Sequence, residues 1–472
     1  MEKEHLYTDY NLNVKLLSER LGVERSFDMI ERHLSIGGSD ACFFYIDGFI
    51  KDGEMQRIMQ YLLSLSSLGS AGELLFRLPY VEVEITSDRG KVLRAVMSGQ
   101  TAMLSESFGG EAILLDLRTY PARQTAEPEG DKVMQGARDG FVETLVTNTA
   151  LIRRRIRDVR LTVEHFSLGG SSDTDVAICY MRGVASDDVV DGIRKKLRTV
   201  KPKSLTLGYQ SLAESLIRTG WWNPFPKIRT TERPDTASAQ ILEGNVIVLC
   251  DTSPVAMMLP TSIFDYVEET ADFYFPPLTG TYLRIVRTVI LLLSVVITPL
   301  WYLVIEYADV LPAWLGFLVP DDPGALPIIL QLLLAEVAID GLKIASMNTP
   351  DILSNSLSVV GALILGDFAV DVGWLSGDVI LYMAFVAIAN FAQQNYELGY
   401  AFKFMRVMIL LLVAVFGIWG FVAGLVIFCI LLATNKTLST GRGYLYPLIP
   451  FNARALAKIL FRKKKDDFDN GK

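Results

Sequence analysis

The sequence predicts an α/β cytosolic N-terminal region of two subdomains followed by an α-helical multi-pass membrane domain. Three observations predict this. Residues 1–287 are charged and alternate strand-like with helix-like patterns. Residues 288–434 carry long apolar runs and only three basic residues (Lys343, Lys403 and Arg406) against eleven acidic ones. Residues 435–472 turn basic, nine against three. With 50% hydrophobic residues and a mean hydropathy of +0.31, the 472-residue chain is too apolar for a soluble enzyme, a disordered chain or a collagen-like fibre. An acidic front with no basic stripe excludes nucleic acid as a partner. The expected divisions are an N-terminal segment over 1–27, subdomains over 28–125 and 126–280, a membrane domain of about five hydrophobic segments over 281–434, and a basic tail over 435–472.

In the first subdomain, Cys42 to Ile46 reads as a buried strand ending at the Asp47-Gly48 turn. Met55, Ile58, Met59, Leu62 and Leu63 follow helical spacing within 53–65. Val81, Val83 and Ile85 alternate with polar residues as a half-buried strand, and Ala112 to Leu117 forms another apolar run. A stretch rich in Pro, Glu and Gly over 121–131 reads as a linker. Beyond it, a helix is predicted over 140–155, strands at 161–166, 176–180 and 246–249, and an amphipathic helix over 187–197; Gly244 stops a further helix. The run Arg153-Arg154-Arg155-Ile156-Arg157 suits a solvated face, a neighbouring subunit's acids or an anionic headgroup.

No catalytic constellation converges, so the chain is not expected to be an enzyme and no cofactor is expected. The phosphate-cradling G-x-x-x-x-G-K-[ST] and G-x-G-x-x-G patterns do not occur. Cys42, Cys179, Cys250 and Cys429 are widely spaced and read as small buried hydrophobes in a reducing compartment. His5, His33 and His165 lack ligand spacing. Met1 to Tyr10 is polar, and no signal-peptide apolar core follows.

Val286 to Ile305 is a twenty-residue apolar run, about 30 Å as a helix, which matches a bilayer core. Further segments cover 325–345, 352–372, 379–392 and 407–433, the last interrupted by Gly417, Gly420 and Gly424. Arg284 and Arg287 place the front domain on the cytoplasmic side, and the acidic loop 306–324, without Lys or Arg, lies outside. Lys343, Lys403 and Arg406 mark the inner side again. Five full spans would leave the basic tail outside, against the same rule, so one segment is either re-entrant or lies in the interface; the glycine-broken fifth is the first suspect.

Two segments carry more than apolar bulk. Glu336, Asp340 and Lys343 share one helix face inside the second segment, a costly placement unless they face protein or water. They form either an intrahelical salt bridge or a water-lined path. In the third segment, Ser354, Asn355, Ser358, Gly361, Ala362, Gly366 and Ala369 fall within one arc, opposite Leu357, Val360 and Leu363. Such a stripe packs helices closely or lines a pore, and in a ring of identical subunits it does both. Ser354, Ser358, Gly361, Ala362 and Gly366 are the candidate pore-lining residues. In the tail, Phe451, Leu456, Ile459 and Leu460 beside Arg454, Lys458 and Arg462-Lys463-Lys464-Lys465 read as an interfacial helix attracted to anionic lipid.

Several motifs occur in order along the chain: Gly136-Ala137-Arg138-Asp139-Gly140, Pro224-Phe225-Pro226, Glu232-Arg233-Pro234-Asp235, Ser356-Leu357-Ser358-Val359-Val360-Gly361 and Gly443-Tyr444-Leu445-Tyr446-Pro447. Together they resemble the A subunits of GerA-type spore germinant receptors over about 28–460. Gly136-Ala137-Arg138-Asp139-Gly140 departs from that family's usual G-P-R-E-G, toward its SpoVAF branch. The resemblance implies a spore inner-membrane protein that forms a ring-shaped homo-oligomer, a pentamer, acting as an ion channel, with another multi-pass membrane protein of the germination machinery as partner. It also marks Pro224, Phe225, Pro226, Glu232, Arg233, Pro234 and Asp235 as a family motif with a subunit-contact role; by sterics alone they are a rigid extended turn and helix caps.

Overall fold

The computed structural model describes residues 5–119, 136–217, 222–269, 271–348, 361, 366, 368–393, 395–435 and 443–461. They form two compact units: residues 1–218 with 228–261, and residues 219–227 with 262–436 and 443–472.

The first unit is one pattern used twice. Its first half runs α1 (Tyr10–Leu21), β1 (Met29–Ile36), β2 (Ser39–Ile46), α2 (Asp52–Leu63), α3 (Ala71–Arg77), β3 (Val83–Thr86), α4 (Arg89–Met97), β4 (Thr101–Ser105) and β5 (Ala112–Leu115). The second runs α5 (Leu145–Arg155), β6 (Leu161–Leu168), β7 (Thr174–Met181), α6 (Asp187–Thr199), α7 (Tyr209–Leu216), β8 (Arg229–Thr231), α8 (Pro234–Leu242), β9 (Val246–Cys250) and β10 (Ala256–Leu259). The five-stranded sheets have orders β1-β2-β4-β5-β3 and β6-β7-β9-β10-β8, the same topology. Every neighbouring pair is antiparallel.

Helices cover both faces of each sheet, which is why the central strands read as unbroken apolar runs. Cys42, Phe44 and Ile46 pack under α1 and α4, while Ala41 and Phe43 face α2 and α3. In the second sheet Ala177, Cys179 and Met181 face α5 and α8, while Val176 and Ile178 face α6 and α7. The duplication reaches single hydrogen bonds. Asn13, fourth in α1, donates to the Tyr7 carbonyl (2.7 Å) and accepts from its N–H (2.9 Å). Asn148, fourth in α5, holds Val142 in the same way, at 2.5 and 2.8 Å.

Residues 5–27 belong to this core instead of preceding it. Leu6, Val14, Leu17 and Leu21 are buried beneath the first sheet, so the expected boundary at 28 falls inside the first subdomain. The arginine run is only half a solvated face: Arg154 and Arg157 are exposed, while Arg153 and Arg155 turn to acids of this chain. Arg153, 1% exposed, forks onto Asp28, also 1% exposed, at 3.0 and 2.9 Å and donates to the Leu161 carbonyl at 3.0 Å. Arg155 pairs with Asp139 at 2.6 Å. Asp28 opens the first sheet and Arg153 closes the helix leading into the second, so the pair joins the halves.

The second unit is helical: α9 (Ala271–Tyr274), α10 (Pro277–Glu306), α11 (Ile328–Met347), α12 (Ala369–Asp371), α13 (Gly377–Phe391), α14 (Tyr396–Thr434) and α15 (Ala453–Leu460). Of these, α10 and α14 are long and apolar enough to cross a membrane. The α14 segment doubles back at Gly417, where φ is 54° and ψ is −132°, a conformation open to glycine. As one straight helix, Phe402 and Phe428 would lie about 39 Å apart; their ring centroids are 5.7 Å apart. A Cβ on Gly420 would sit 1.9 Å from the Leu412 carbonyl oxygen, and one on Gly424 would meet Ile409 at 2.9 Å. These two glycines let the return limb lie against the outbound one. The sequence placed this segment at 407–433, too short for two spans; starting at Tyr396, it accommodates an antiparallel pair.

Contacts within this unit keep the ends in register. A Cβ on Gly417 would lie 2.8 Å from the Tyr307 hydroxyl, so the hairpin tip meets the end of α10. Near the other end, Asn223 donates to the Leu431 carbonyl (2.9 Å) and Arg284 to the Ile459 carbonyl (2.6 Å). Arg284 and Arg287 are held by Glu268, Glu269 and Asp272.

Asp28→Asn leaves the Arg153 guanidinium buried with its counter-charge removed, a loss of about 3–5 kcal/mol. Hydrogen exchange on the full chain in detergent should show both sheets losing protection together. Loss confined to β1 would mean that the pair does not join the halves.

Candidate functional site: a buried charge cluster in the helical unit

The apolar helices meet around four charges. On α11, Glu336 and Asp340 lie one turn apart on the face predicted from sequence; on the outbound limb of α14, Lys403 and Arg406 lie at i and i+3. Arg406 Nε donates to Glu336 Oε1 at 2.7 Å, and its Nη1 reaches the Ser294 carbonyl of α10 at 3.1 Å. Lys403 Nζ sits 3.2 Å from Glu336 Oε2 and 2.5 Å from Asp340 Oδ2. Arg406 is fully buried and Glu336 is 5% exposed. Two carboxylates and two cations balance, so the quartet is formally neutral, which limits the penalty for removing each ion from water.

Among the described residues Lys343 makes no salt bridge to the quartet, although Asp340 lies near enough to act on its charge. Its ammonium lies over the rings of Tyr396 (4.6 Å), Tyr400 (4.7 Å) and Phe391 (5.9 Å), within cation–π range. Of the two readings of this face, the intrahelical salt bridge to Lys343 gives way to bridges between helices. The sequence carried the signal: oppositely charged residues at one-turn spacing on two otherwise apolar segments. By position alone Lys403 and Arg406 mark the inner side; their pairing with Glu336 and Asp340 shows only in the fold.

Of the candidate pore-lining residues, Ser354, Ser358 and Ala362 lie outside the described residues. Gly361 is buried, and a Cβ there would sit 2.4 Å from Leu342 of α11; Gly366 faces open space. The family motif divides between the two units. In the helical unit, Pro224 and Pro226 flank Phe225, whose ring meets Phe402 and Phe428 edge-on at 6.0 and 5.9 Å. In the first unit the Glu232 carbonyl accepts from the Phe141 N–H at 2.7 Å, and Pro234 opens α8. There, fully buried Arg233 forks onto Asp235 at 3.1 and 2.7 Å and donates to the Ala137 carbonyl at 2.9 Å.

Cys42, Cys179 and Cys250 are buried, as read, while Cys429 is exposed. Burial pushes the Cys250 thiol up to about 12. Strand pairing gathers donors that spacing kept apart: Glu31, His33 and Cys42 bring ligand atoms within 4.8 Å of one another. His33 Nε2 and Glu31 Oε1 are already hydrogen-bonded at 2.8 Å.

Glu336→Leu strands Arg406 and should destabilise the helical unit by about 3–5 kcal/mol. The double variant Glu336→Leu/Arg406→Met should recover most of that loss. Thermal unfolding of each in mild detergent checks both. A harmless single substitution would mean that the quartet does not hold the helices.

A family model described as Bacillus/Clostridium GerA spore germination protein matches residues 15–470. Stage V sporulation protein AF of Bacillus subtilis is 36% identical over 469 residues, covering 98% of this chain and 94% of that protein. Spore germination protein KA of Bacillus subtilis is 26% identical, covering 93% and 82%. Among solved structures, the N-terminal domain of the A subunit of the Bacillus megaterium spore germinant receptor GerK3 aligns with 55% of this chain and 97% of its own, at 25% identity and a TM-score of 0.42. With a match spanning nearly the whole sequence, this chain belongs to the GerA family of spore germination proteins.

Proposed function

We propose that this germination-related membrane protein is a subunit of a homo-oligomeric ion channel in the spore inner membrane, which releases cations or amplifies the germination signal. The single observation carrying this reading is the GerA match over residues 15–470, with Stage V sporulation protein AF among the relatives. The geometry supports it. With α14 turned back at Gly417, the outbound limb is about 31 Å long and the return limb about 25 Å, near the thickness of a bilayer core. Added to α10 and the two limbs, the three further apolar segments expected from the sequence (325–345, 352–372 and 379–392) bring the crossings to an even number, six. The front unit and basic tail then share the cytoplasmic side, as the basic residues require.

Copies of the chain close a ring, a pentamer, in which the stripe Ser354, Ser358, Gly361, Ala362 and Gly366 faces the axis. A second multi-pass membrane protein of the germination machinery docks on this ring, and the tail around α15 rests on anionic lipid. The charge quartet fixes α11 against α10 and α14, giving the third segment a stiff backing. A second reading, a non-conducting receptor or scaffold that transmits a germinant signal, is favoured by one observation: Gly361 presses on Leu342, a packing use of the small-residue stripe.

Two measurements test the proposal. In planar bilayers the wild type should conduct, Ala362→Trp should assemble yet conduct at least about tenfold less, and Leu363→Trp should disturb packing without selective block. No conductance from any assembled form would leave the scaffold reading. For topology, Asp322→Cys in a Cys429→Ser background should react with an impermeant thiol reagent from outside. Reaction only after permeabilisation would overturn the orientation.

A further inference from the structure

The first unit contains a cleft of about 610 Å³ lined where the loop after α1 meets the outer edge of the second sheet. That is ample for a small ligand, for which pockets run from about 300 to 1,000 Å³. Its lining holds Arg25, Arg182, Arg194 and Arg198 against Glu24 and Glu164, an excess of two positive charges. Arg194 is held by two acids, its Nε and Nη2 forking onto Glu164 at 2.9 and 2.6 Å and its Nη1 bonding Asp191, while Arg198 and Arg182 feel Glu164 and Asp158, respectively, only from longer range. Among the described residues, Arg25 and Arg198 make no ion pair. Arg198 follows Arg194 by one turn of α6, on the same face. Arg182 donates one N–H to the Val159 carbonyl at 3.3 Å, while its Nε is buried with no partner. A buried donor left unmatched costs about 1–3 kcal/mol, so an acceptor supplied from outside would be favoured there.

The walls add a second requirement. Phe27 and His165 present rings with centroids 5.3 Å apart, and Phe166 lines the same cleft. Tyr180 donates its hydroxyl to Glu164 at 2.6 Å; burial and that carboxylate push the hydroxyl up to about 12, so it stays protonated. Arginine forks match phosphate and carboxylate oxygens, and ring faces match a flat ring.

We infer that this cleft binds a small anion in which a flat ring carries phosphate or carboxylate groups, making the first unit a ligand sensor independent of any conduction by the helical unit. The ring-bearing anion could be a nucleotide or an aromatic carboxylate, and the experiment separates the two. Full-length protein in detergent is titrated by calorimetry with AMP, with phthalate, with cyclohexane-1,2-dicarboxylate as a non-planar control and with inorganic phosphate as an anion without a ring. The expected result is saturable binding of AMP or phthalate, with at least about tenfold weaker binding of both controls, about 1.4 kcal/mol. Arg198→Glu and Arg25→Glu, both at exposed positions, should each weaken that binding by about tenfold or more while leaving the melting temperature of the unliganded protein unchanged. Added salt should weaken it further. Absence of binding by either ring-bearing probe at about 1 mM overturns the inference. So does binding that both charge reversals leave intact.

Discussion

The helical unit depends on the cost of carrying charge through an apolar interior. Arg406 and Glu336 are tolerable there only because each finds the other within hydrogen-bonding distance, with Lys403 and Asp340 completing the balance. That requirement fixes the rotation of α11 about its axis and the depth of the outbound limb of α14 beside it. The link from Arg406 to the Ser294 carbonyl brings in α10. Apolar surfaces could slide past one another at little cost; paired charges cannot. The packing of Phe225, Phe402 and Phe428 and the close approach of Gly420 and Gly424 then follow from a register already set.

The first unit solves a different problem. Two copies of one topology must act as a single body, and Asp28 with Arg153 provides a desolvated link between them. The repeated asparagine clasp, Asn13 on Tyr7 and Asn148 on Val142, pins each copy's first helix to the chain entering it. Specific polar contacts thus punctuate both units at the points where apolar packing alone would leave a choice.

Much of this was legible in the sequence, for reasons particular residues make plain. Central strands such as Cys42 to Ile46 and Val176 to Tyr180 announce themselves because helices bury both of their faces. The unusual face of Glu336, Asp340 and Lys343 was visible because charges are rare in apolar segments. Pairing across helices was not visible: local spacing suggests Lys343 as the partner, whereas tertiary packing gives Lys403 and Arg406. The duplication does surface in the sequence at the first hairpin of each half, where His33-Leu34-Ser35-Ile36-Gly37-Gly38-Ser39 recurs as His165-Phe166-Ser167-Leu168-Gly169-Gly170-Ser171; one short match does not fix a five-stranded order, which element sequence and strand pairing reveal. The α1 segment was missed because its polar face dominates its composition, though Val14, Leu17 and Leu21 are buried. The glycines of the fifth segment drew suspicion, but its length was underestimated by starting at the purely apolar Val407 instead of Tyr396.

The hairpin at Gly417 bears on how the chain enters a bilayer during synthesis. Residues 418–434 hold no Lys, Arg, Asp or Glu, so the return limb takes its orientation from its flanks: Lys403 and Arg406 ahead of the outbound limb, and Lys436 and Arg442 after the return. In the proposed orientation both basic flanks lie on one side, so the two limbs suit entry as a single hairpin. The glycine at the tip belongs to the biogenesis of the protein as much as to its final packing.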